Sequence, residues 1–380
     1  MVGSTGTVVA MYRCLADMPP AALALFRDSV GAEVPGGLTW YRLLAQDAMG
    51  LGQGTRFYVV STGPPEGTPL VVLPLRITAP GGWSLRPRGP QTLATAWTTH
   101  CHPIIADTVD DPVPLLRDLM VHISKEPRCE SLKLGPLAPE EPIYWQLVAA
   151  LRAAGFVIHP FFYFHNWYLV VAGRSADEIL GGLPPRLGNT LHRKSRSLDA
   201  SARARVRLFT RPEEVETAIA DCERVYRMGW QSEGRYQGFV PGLVRACANL
   251  GWLRLGVLYV DEVPAAAHCW IVVGSYALIF SLAYDEQYAK LSLGTILMAH
   301  MLRHVIDEDR VEVVDFLQGN DAYKQDWMSY RRERWGLLAM NPRTVRGLLG
   351  IARHKGARLV KWLVLIPLRA LRHLARRLRP

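Results

Sequence analysis

The chain has 380 residues, 49% hydrophobic and 21% charged, a balance that excludes a disordered chain and suffices for two globular cores. Its formal charge of +10 is concentrated at the C-terminus: residues 341–380 hold eleven Lys and Arg and no Asp or Glu, leaving about −1 for residues 1–340. The body therefore shows no electrostatic footprint of a nucleic-acid groove; DNA is not expected as a partner, and near-neutrality argues against tRNA.

Six scattered cysteines without a CxxC pair favour reduced thiols over a disulfide framework. VVAM (8–11) is too short for a secretory h-region, so a cytoplasmic protein is expected. His100-Cys101-His102 has metal-capable side chains but no distant partner motif, and no metal site is expected.

In chain order, residues 1–165 read as one domain. Helical patterns lie at 20–30 and around Trp40–Ala48, followed by strands at 56–61 and 70–78 joined by TGPPEGTP. A helix over 144–155 stops at Gly155, and FVIHPFFYFHNWYLVV (156–171) reads as a strand leading into a second domain, 166–340. A basic segment (176–209) precedes a long helix over 212–230 with acidic residues in its first turn. Three apolar strands follow at 252–260, 265–273 and 276–284, separated at hairpin spacing by Asp261-Glu262 with Pro264 and by Gly274-Ser275. LSLGT (291–295) opens an amphipathic helix over 293–307, and VEVVDFL (311–317) is a further strand. The pair 56–61 and 70–78 resembles 252–260 and 265–273 in length and spacing, which suggests an internal duplication. The fold class is α+β, with an α/β-type mixed, mostly antiparallel sheet flanked by helices in each half.

A turn ahead of a helix presents free N–H groups that suit a pyrophosphate, so Leu293, Gly294 and Thr295 are candidate donor-binding residues; the alternative is an ordinary strand-to-helix turn. Asp285 and Glu286 follow the third strand, where a base for an acceptor proton is needed, although both also suit a solvated turn. His268 shares a strand face with Trp270 and Val272 and is a candidate base or a core histidine. Tyr323 can donate a proton to a departing thiolate, and Lys324 can neutralise phosphate or an oxyanion. Trp327 reads as packing, and Arg331-Arg332-Glu333-Arg334 as surface.

The order of strands, YDEQY (284–288), LSLGT, helix and DFLQGNDAYKQDW (315–327) resembles the CelD/BcsL-type acetyltransferases of the GNAT superfamily, relatives of the FemAB peptidyltransferases. The resemblance covers residues 175–330 and extends more faintly over 1–165. It implies tandem GNAT-like domains with the second catalytic, and it makes Asp315, Gly319, Asp321, Tyr323 and Lys324 family-typical positions and Gly294 the donor-loop glycine. LSLGT keeps one glycine of the superfamily's Q/R-x-x-G-x-G/A loop and lacks its leading Arg or Gln. Arg186, His192, Arg193, Lys194 and Arg196 fall where the resemblance places a helix bordering the acceptor groove. Arg193, Arg196, Trp230 and Asp321 are the acceptor-side candidates, with a solvated helix face as the alternative for the arginines.

The function so implied is transfer of an acyl group, acetyl above others, from acyl-CoA to an amine or hydroxyl of a sugar or cell-envelope precursor by direct attack. Acyl-CoA enters as co-substrate, with no tightly bound cofactor. The alternatives are a FemAB-like transferase using aminoacyl-tRNA and a non-catalytic accessory protein of a polysaccharide machine. In the tail (341–380), Leu368, Leu371, Leu374 and Leu378 line one helical face and Arg369, Arg372, Arg376 and Arg379 another. Its longest apolar run is too short to span a bilayer, so peripheral attachment to an anionic inner leaflet is expected.

Overall fold

Local chemistry sets the element boundaries. Pro142 opens one helix and Gly155, at φ +88°, follows its end; Ser175 and Glu178 cap another reciprocally. Asp261 and Glu262 hold φ of 49° and 62°, the paired positive values of a two-residue hairpin turn. The structure, a computed structural model, describes residues 6–28, 37–45, 54–63, 67–77, 87–95, 97–127, 129–228 and 239–360.

The N-terminal half runs β1 (Thr7–Tyr12), α1 (Pro20–Asp28), α2 (Leu38–Ala45), β2 (Thr55–Thr62), β3 (Pro69–Ile77), β4 (Pro90–Thr92), β5 (Ile104–Ile105), α3 (Val113–Ser124), β6 (Ser131–Leu137), α4 (Pro142–Ala153) and β7 (Val157–Val170). The C-terminal half runs α5 (Ala176–Gly181), α6 (Pro185–Ser201), β8 (Ala204–Phe209), α7 (Val215–Met228), α8 (Phe239–Asn249), β9 (Leu253–Val260), β10 (Val263–Val273), β11 (Tyr276–Tyr284), α9 (Leu293–Arg303), β12 (Val313–Gln318), α10 (Lys324–Trp327), β13 (Tyr330–Met340) and α11 (Val345–Val360). The predicted helix over 293–307 thus ends as α9, with a π turn at His304–Glu308.

Among the described residues the strands form one mixed sheet in the order β1-β2-β3-β4-β6-β13-β7-β12-β11-β10-β9-β8, with β5 beside β3. Each half repeats a plan. Antiparallel β2-β3-β4 lead through α3 to β6, parallel to β4; antiparallel β9-β10-β11 lead through α9 to β12, parallel to β11. The closing strands are then exchanged. β7, which follows the first plan, pairs with β12, while β13, which follows the second, lies between β6 and β7. The tandem, helix-flanked mixed sheet implied by the resemblance is therefore present.

The exchange makes the halves share a core. One cluster belongs to the C-terminal half under α5 and α9, another lies mainly under α3 and α4, and a third joins α1 and α2 to α7, α8 and the C-terminal strands. In the joint core Phe280 stacks on Trp97 at 4.9 Å and 18°, with Trp40 edge-on at 6.5 Å. Trp327 is buried in the C-terminal core, as its packing role requires.

The expectation that Arg331–Arg334 is surface fails at Arg332 and Arg334. Arg334 is 1% exposed; its Nη1 donates to Glu140 Oε1 at 2.7 Å and its Nε to the Thr99 carbonyl at 3.1 Å. A charged run suggests solvent, but β13 is an interior strand with neighbours on both sides, so alternate side chains must point into protein.

None of the six cysteines, all among the described residues, forms a disulfide. No helix among the described residues is long and apolar enough to cross a membrane. Trp230 and residues 361–380, with the predicted amphipathic stretch, lie outside the described residues.

Phe280→Ala should remove the aromatic contact with Trp97 and Trp40 and lower stability by about 3–5 kcal/mol, the usual cost of a large aromatic truncation. A urea midpoint unchanged from the parent would show that the shared core does not join the halves.

Candidate active site

The site begins where two parallel strands part. β11 and β12 pair only over Tyr276–Leu278 and Val313–Asp315. Beyond that, β11 continues to Tyr284 paired with β10 alone, while Gln318 of β12 pairs with Asn166 of β7. The register of β10 with β11 also shifts between Cys269 and Trp270, a bulge beside the point of departure. Because the strands are parallel, both C-terminal ends open at the same edge of the sheet, with Asp285 leaving one lip and Gly319–Lys324 the other.

On the β11 lip, Asp285 is 4% exposed and committed to local structure. Its Oδ1 accepts the Gln287 N–H at 3.0 Å and its Oδ2 the Gln287 side-chain amide at 2.7 Å, capping a 3-10 turn at Glu286–Leu291. Ser292, in the left-handed conformation (φ 57°), turns the chain into α9, whose start has no side-chain cap. The Thr295 and Ile296 N–H groups both donate to the Ser292 carbonyl, at 3.0 and 3.2 Å, which leaves the Leu293 and Gly294 N–H groups at the positive end of the helix dipole. Leu293 is buried in the C-terminal core, whereas Gly294 and Thr295 are half-buried.

His268 lies beneath this helix start. A Cβ on Gly294 would stand 3.7 Å from Tyr284 Cδ1 and 3.9 Å from His268 Nε2, an ordinary contact, so the fold itself leaves room for a side chain there. His268 is 2% exposed with Nδ1 unpartnered, and burial holds its imidazole at about 3 and therefore neutral. On α6, Lys194 donates to the Lys290 carbonyl at the end of the 3-10 turn, while Arg193 and Arg196 stand on the helix's exposed face. Of the basic cluster, Lys194 is the member that reaches this 3-10 turn.

The β12 lip is a closed accounting of backbone groups. Residues 316 and 317 pair with neither neighbouring strand, and Leu317 sits at φ +54°. Asp315 Oδ1 accepts the Leu317 N–H at 2.6 Å; Asn166 Nδ2 donates to the Leu317 carbonyl at 2.8 Å and to Asp315 Oδ1 at 2.6 Å. Lys324 Nζ donates to the carbonyls of Gln318 at 2.6 Å and Phe316 at 3.3 Å, with Asp321 Oδ2 at 3.6 Å. Gly319 permits that approach, since a Cβ there would be 2.7 Å from Lys324 Nζ, and its φ of +125° suits glycine. Lys324 is 5% exposed, and burial holds its ammonium below the ordinary lysine range against the pull of Asp321. Its charge is spent on the strand end.

Tyr323 is the member of this lip that faces outward, 47% exposed, with its ring edge-on to Phe316 at 5.6 Å. Burial and then the Asp321 carboxylate push its phenol up to about 12, so it stays protonated at neutral pH. Asp321 is itself exposed. Two residues of this network escaped sequence reading. Arg332 donates from Nη2 to Asp315 Oδ2 at 2.8 Å and from Nε to Asn166 Oδ1 at 2.6 Å, and its guanidinium lies 4.7 Å from the Tyr168 ring centroid. The lone Asn166 inside an aromatic strand was the available signal, because a buried amide needs partners.

Arg332→Ala leaves the Asp315 carboxylate buried without its cation and should cost about 3 kcal/mol, whereas Arg331→Ala should be near neutral; equal melting temperatures for the two would remove Arg332 from the network. His268 supplies a pH signature. Its folded value is depressed below the unfolded 6.5, so its stabilisation is complete above pH 6.5 and is lost as pH falls toward about 3. Each pH unit in that window costs about 1.4 kcal/mol from this group. His268→Gln should flatten unfolding free energy against pH between 6.5 and 4 by roughly that slope.

Residues 186–325 match the acetyltransferase (GNAT) domain family. No curated protein matches the chain by sequence. Among solved structures, FemX has a TM-score of 0.57 at 11% identity, covering 84% of this chain and 95% of its own. L-PGS from Bacillus licheniformis gives 0.52 at 10% identity over 86% and 93% of the two chains. A protein of unknown function from Bacteroides thetaiotaomicron gives 0.51 at 9% identity over 85% and 92%. At these identities the structures speak for the fold, and the domain match speaks for the chemistry. Residues 186–325 thus carry the likeness to an acetyltransferase (GNAT) domain, set in a two-part fold similar to that of FemX.

Proposed function

We propose that the chain transfers an acyl group, acetyl above others, from acyl-CoA to an amine or hydroxyl of a sugar or cell-envelope precursor. One observation carries the donor assignment: Ile279–Tyr284 of β11 are paired on one side only, and the strand leads to the uncapped start of α9. An extended pantetheine arm can add to such a strand edge through its amides, and a pyrophosphate is stabilised at a helix N-terminus. Gly294 and Thr295 are assigned to the donor, with Leu293 contributing its backbone and Lys194 adding positive charge nearby.

The reaction so arranged is direct attack by the acceptor on the thioester carbonyl. The carbon–sulfur bond breaks, and the thiolate takes a proton. Tyr323, protonated and exposed on the opposite lip, is the assigned donor of that proton, and Lys324 is assigned to hold it in place rather than to touch substrate. His268 and Asp285 are the candidate acceptor-proton bases: His268 is neutral but held at about 3, which makes it a weak base, and both oxygens of Asp285 are engaged by Gln287. Arg193, Arg196 and Asp321 are exposed enough to meet an acceptor. The sugar or envelope class of acceptor rests on the resemblance to CelD/BcsL-type enzymes. A second reading, aminoacyl-tRNA as donor, is favoured by the FemX-like fold and opposed by the body charge of about −1.

Titration calorimetry with acetyl-CoA decides between the donors: binding is expected, and its clean absence would sink the acyl-CoA reading. Gly294→Ala, which the fold accommodates, should leave the melting temperature unchanged or slightly raised while weakening that binding. Tyr323→Phe should lower thiol release with amino-sugar or polyol acceptors by about 10²-fold without loss of stability. An unaltered rate would take Tyr323 out of the chemistry.

A further inference from the structure

A cavity lies on the part of the sheet formed by β6, β13 and the start of β7, apart from the β11–β12 opening. On β6, β13 and β7, Leu132, Leu134, Leu337 and Ala339 face the core under α3 and α4. The alternate residues, among them Lys133, His159, Phe161 and Met340, line a cavity of about 880 Å³ on the other face. Helix α11 covers it. Gly350 permits the close approach, since a Cβ there would lie 2.6 Å from Pro87 Cγ and 3.0 Å from Met340 Sδ, and the next turn brings in Arg353 and His354. His354 stacks on His159 at 4.6 Å.

The charge inside is one-sided. Lys133, Arg353 and the two histidines line the cavity, with no Asp or Glu among the described lining residues. Lys133 Nζ sits 5.2 Å from the ring centroids of both Phe161 and Tyr163 and has no carboxylate partner among the described residues. Its neighbour Arg76 faces the neutral Gln91 amide, whose oxygen accepts from Nε at 2.9 Å and Nη2 at 3.0 Å once the amide is oriented to satisfy both groups. Burial, and then the Arg76 charge, hold the Lys133 ammonium below the ordinary lysine range; burial lowers Arg76 as well. Two half-buried like charges without a counter-ion raise the free energy of the empty protein, and an anion placed between them and Arg353 offsets it.

We propose that this cavity binds the phosphate of a ligand, with Lys133 as its central contact, Arg353 closing on it from α11 and Phe161 against the ligand's organic part. The phosphate can belong to a free phosphorylated small molecule or to a lipid headgroup. The second source is raised by α11 itself, which exposes Val345 (75%), Leu348 (53%) and Leu349 (49%) to solvent. The proposal stands whichever donor the β11–β12 opening takes, and its readout is binding rather than turnover.

The test uses the full chain, inorganic pyrophosphate, and vesicles of phosphatidylglycerol or phosphatidylcholine. Pyrophosphate should bind and raise the melting temperature. Lys133→Met should weaken that binding at least tenfold while melting no lower than the parent, because a repelled cation is gone, and Arg353→Ala, at an exposed position, should weaken it several-fold with no change in folding. Pyrophosphate that also releases the chain from phosphatidylglycerol vesicles assigns the cavity to a headgroup; pyrophosphate that binds and leaves vesicle partition unchanged assigns it to a free ligand. The proposal falls if the parent binds neither pyrophosphate nor, in a Lys133-dependent way, phosphatidylglycerol, or if both variants bind pyrophosphate as the parent does.

Discussion

A β-strand cannot leave its neighbour without finding new partners for the N–H and C=O groups it abandons. Here β12 leaves β11 after Asp315, and every step that follows answers that constraint. Asp315 turns its own carboxylate onto the Leu317 amide, Asn166 reaches from β7 to the Leu317 carbonyl, and Lys324 folds back onto the carbonyls of 316 and 318. Arg332 from β13 then balances the buried carboxylate. The opening between the two strands is therefore held by polar chemistry inside the protein. Tyr323, carried on the same short segment as Lys324, takes its position from that scaffold.

This arrangement depends on the exchange of closing strands. Asn166 lies on β7, and β7 follows the N-terminal half; Arg332 lies on β13, which pairs with β6 as well as β7. The lip of the opening is thus assembled from both halves, and so is the aromatic packing of Phe280 against Trp97 and Trp40. A bulge in β11 at Phe280 and a left-handed Leu317 in β12 stand on either side of the gap, and both contribute side chains to the joint core. Mechanical coupling between halves follows from covalent order and pairing, with no need for a separate hinge element.

The motif reading was strongest where spacing alone carries the meaning. The three strands of 253–284, their two-residue turns and the helix after LSLGT lie within a few residues of their expected limits, because alternation, positive-φ turn residues and a 3.6-residue period are local properties. DFLQGNDAYKQDW was legible as the segment that lines one lip of the β11–β12 opening, yet the contacts of its members were not. Lys324 reads in sequence as a cation for phosphate or an oxyanion and is a buried tie in the structure; Asp285 reads equally as a base or a solvated turn residue and is a buried cap. Burial and partners are set by segments more than a hundred residues away, such as Asn166 against Asp315. The charged run at 331–334 misleads for the same reason: it lies on an interior strand, which charge patterning cannot reveal.

By itself, then, the sequence determined the element types, the repeated strand plan, the location of the positive charge in the C-terminal 40 residues and the segment around which the site is built, since each follows from near neighbours along the chain. Tertiary structure decided the strand exchange, the parting of β11 from β12, the burial of Lys324, His268 and Arg334, and the cavity under α11. Those features depend on which distant backbone and side-chain groups satisfy one another once water is excluded, and no local pattern encodes that choice.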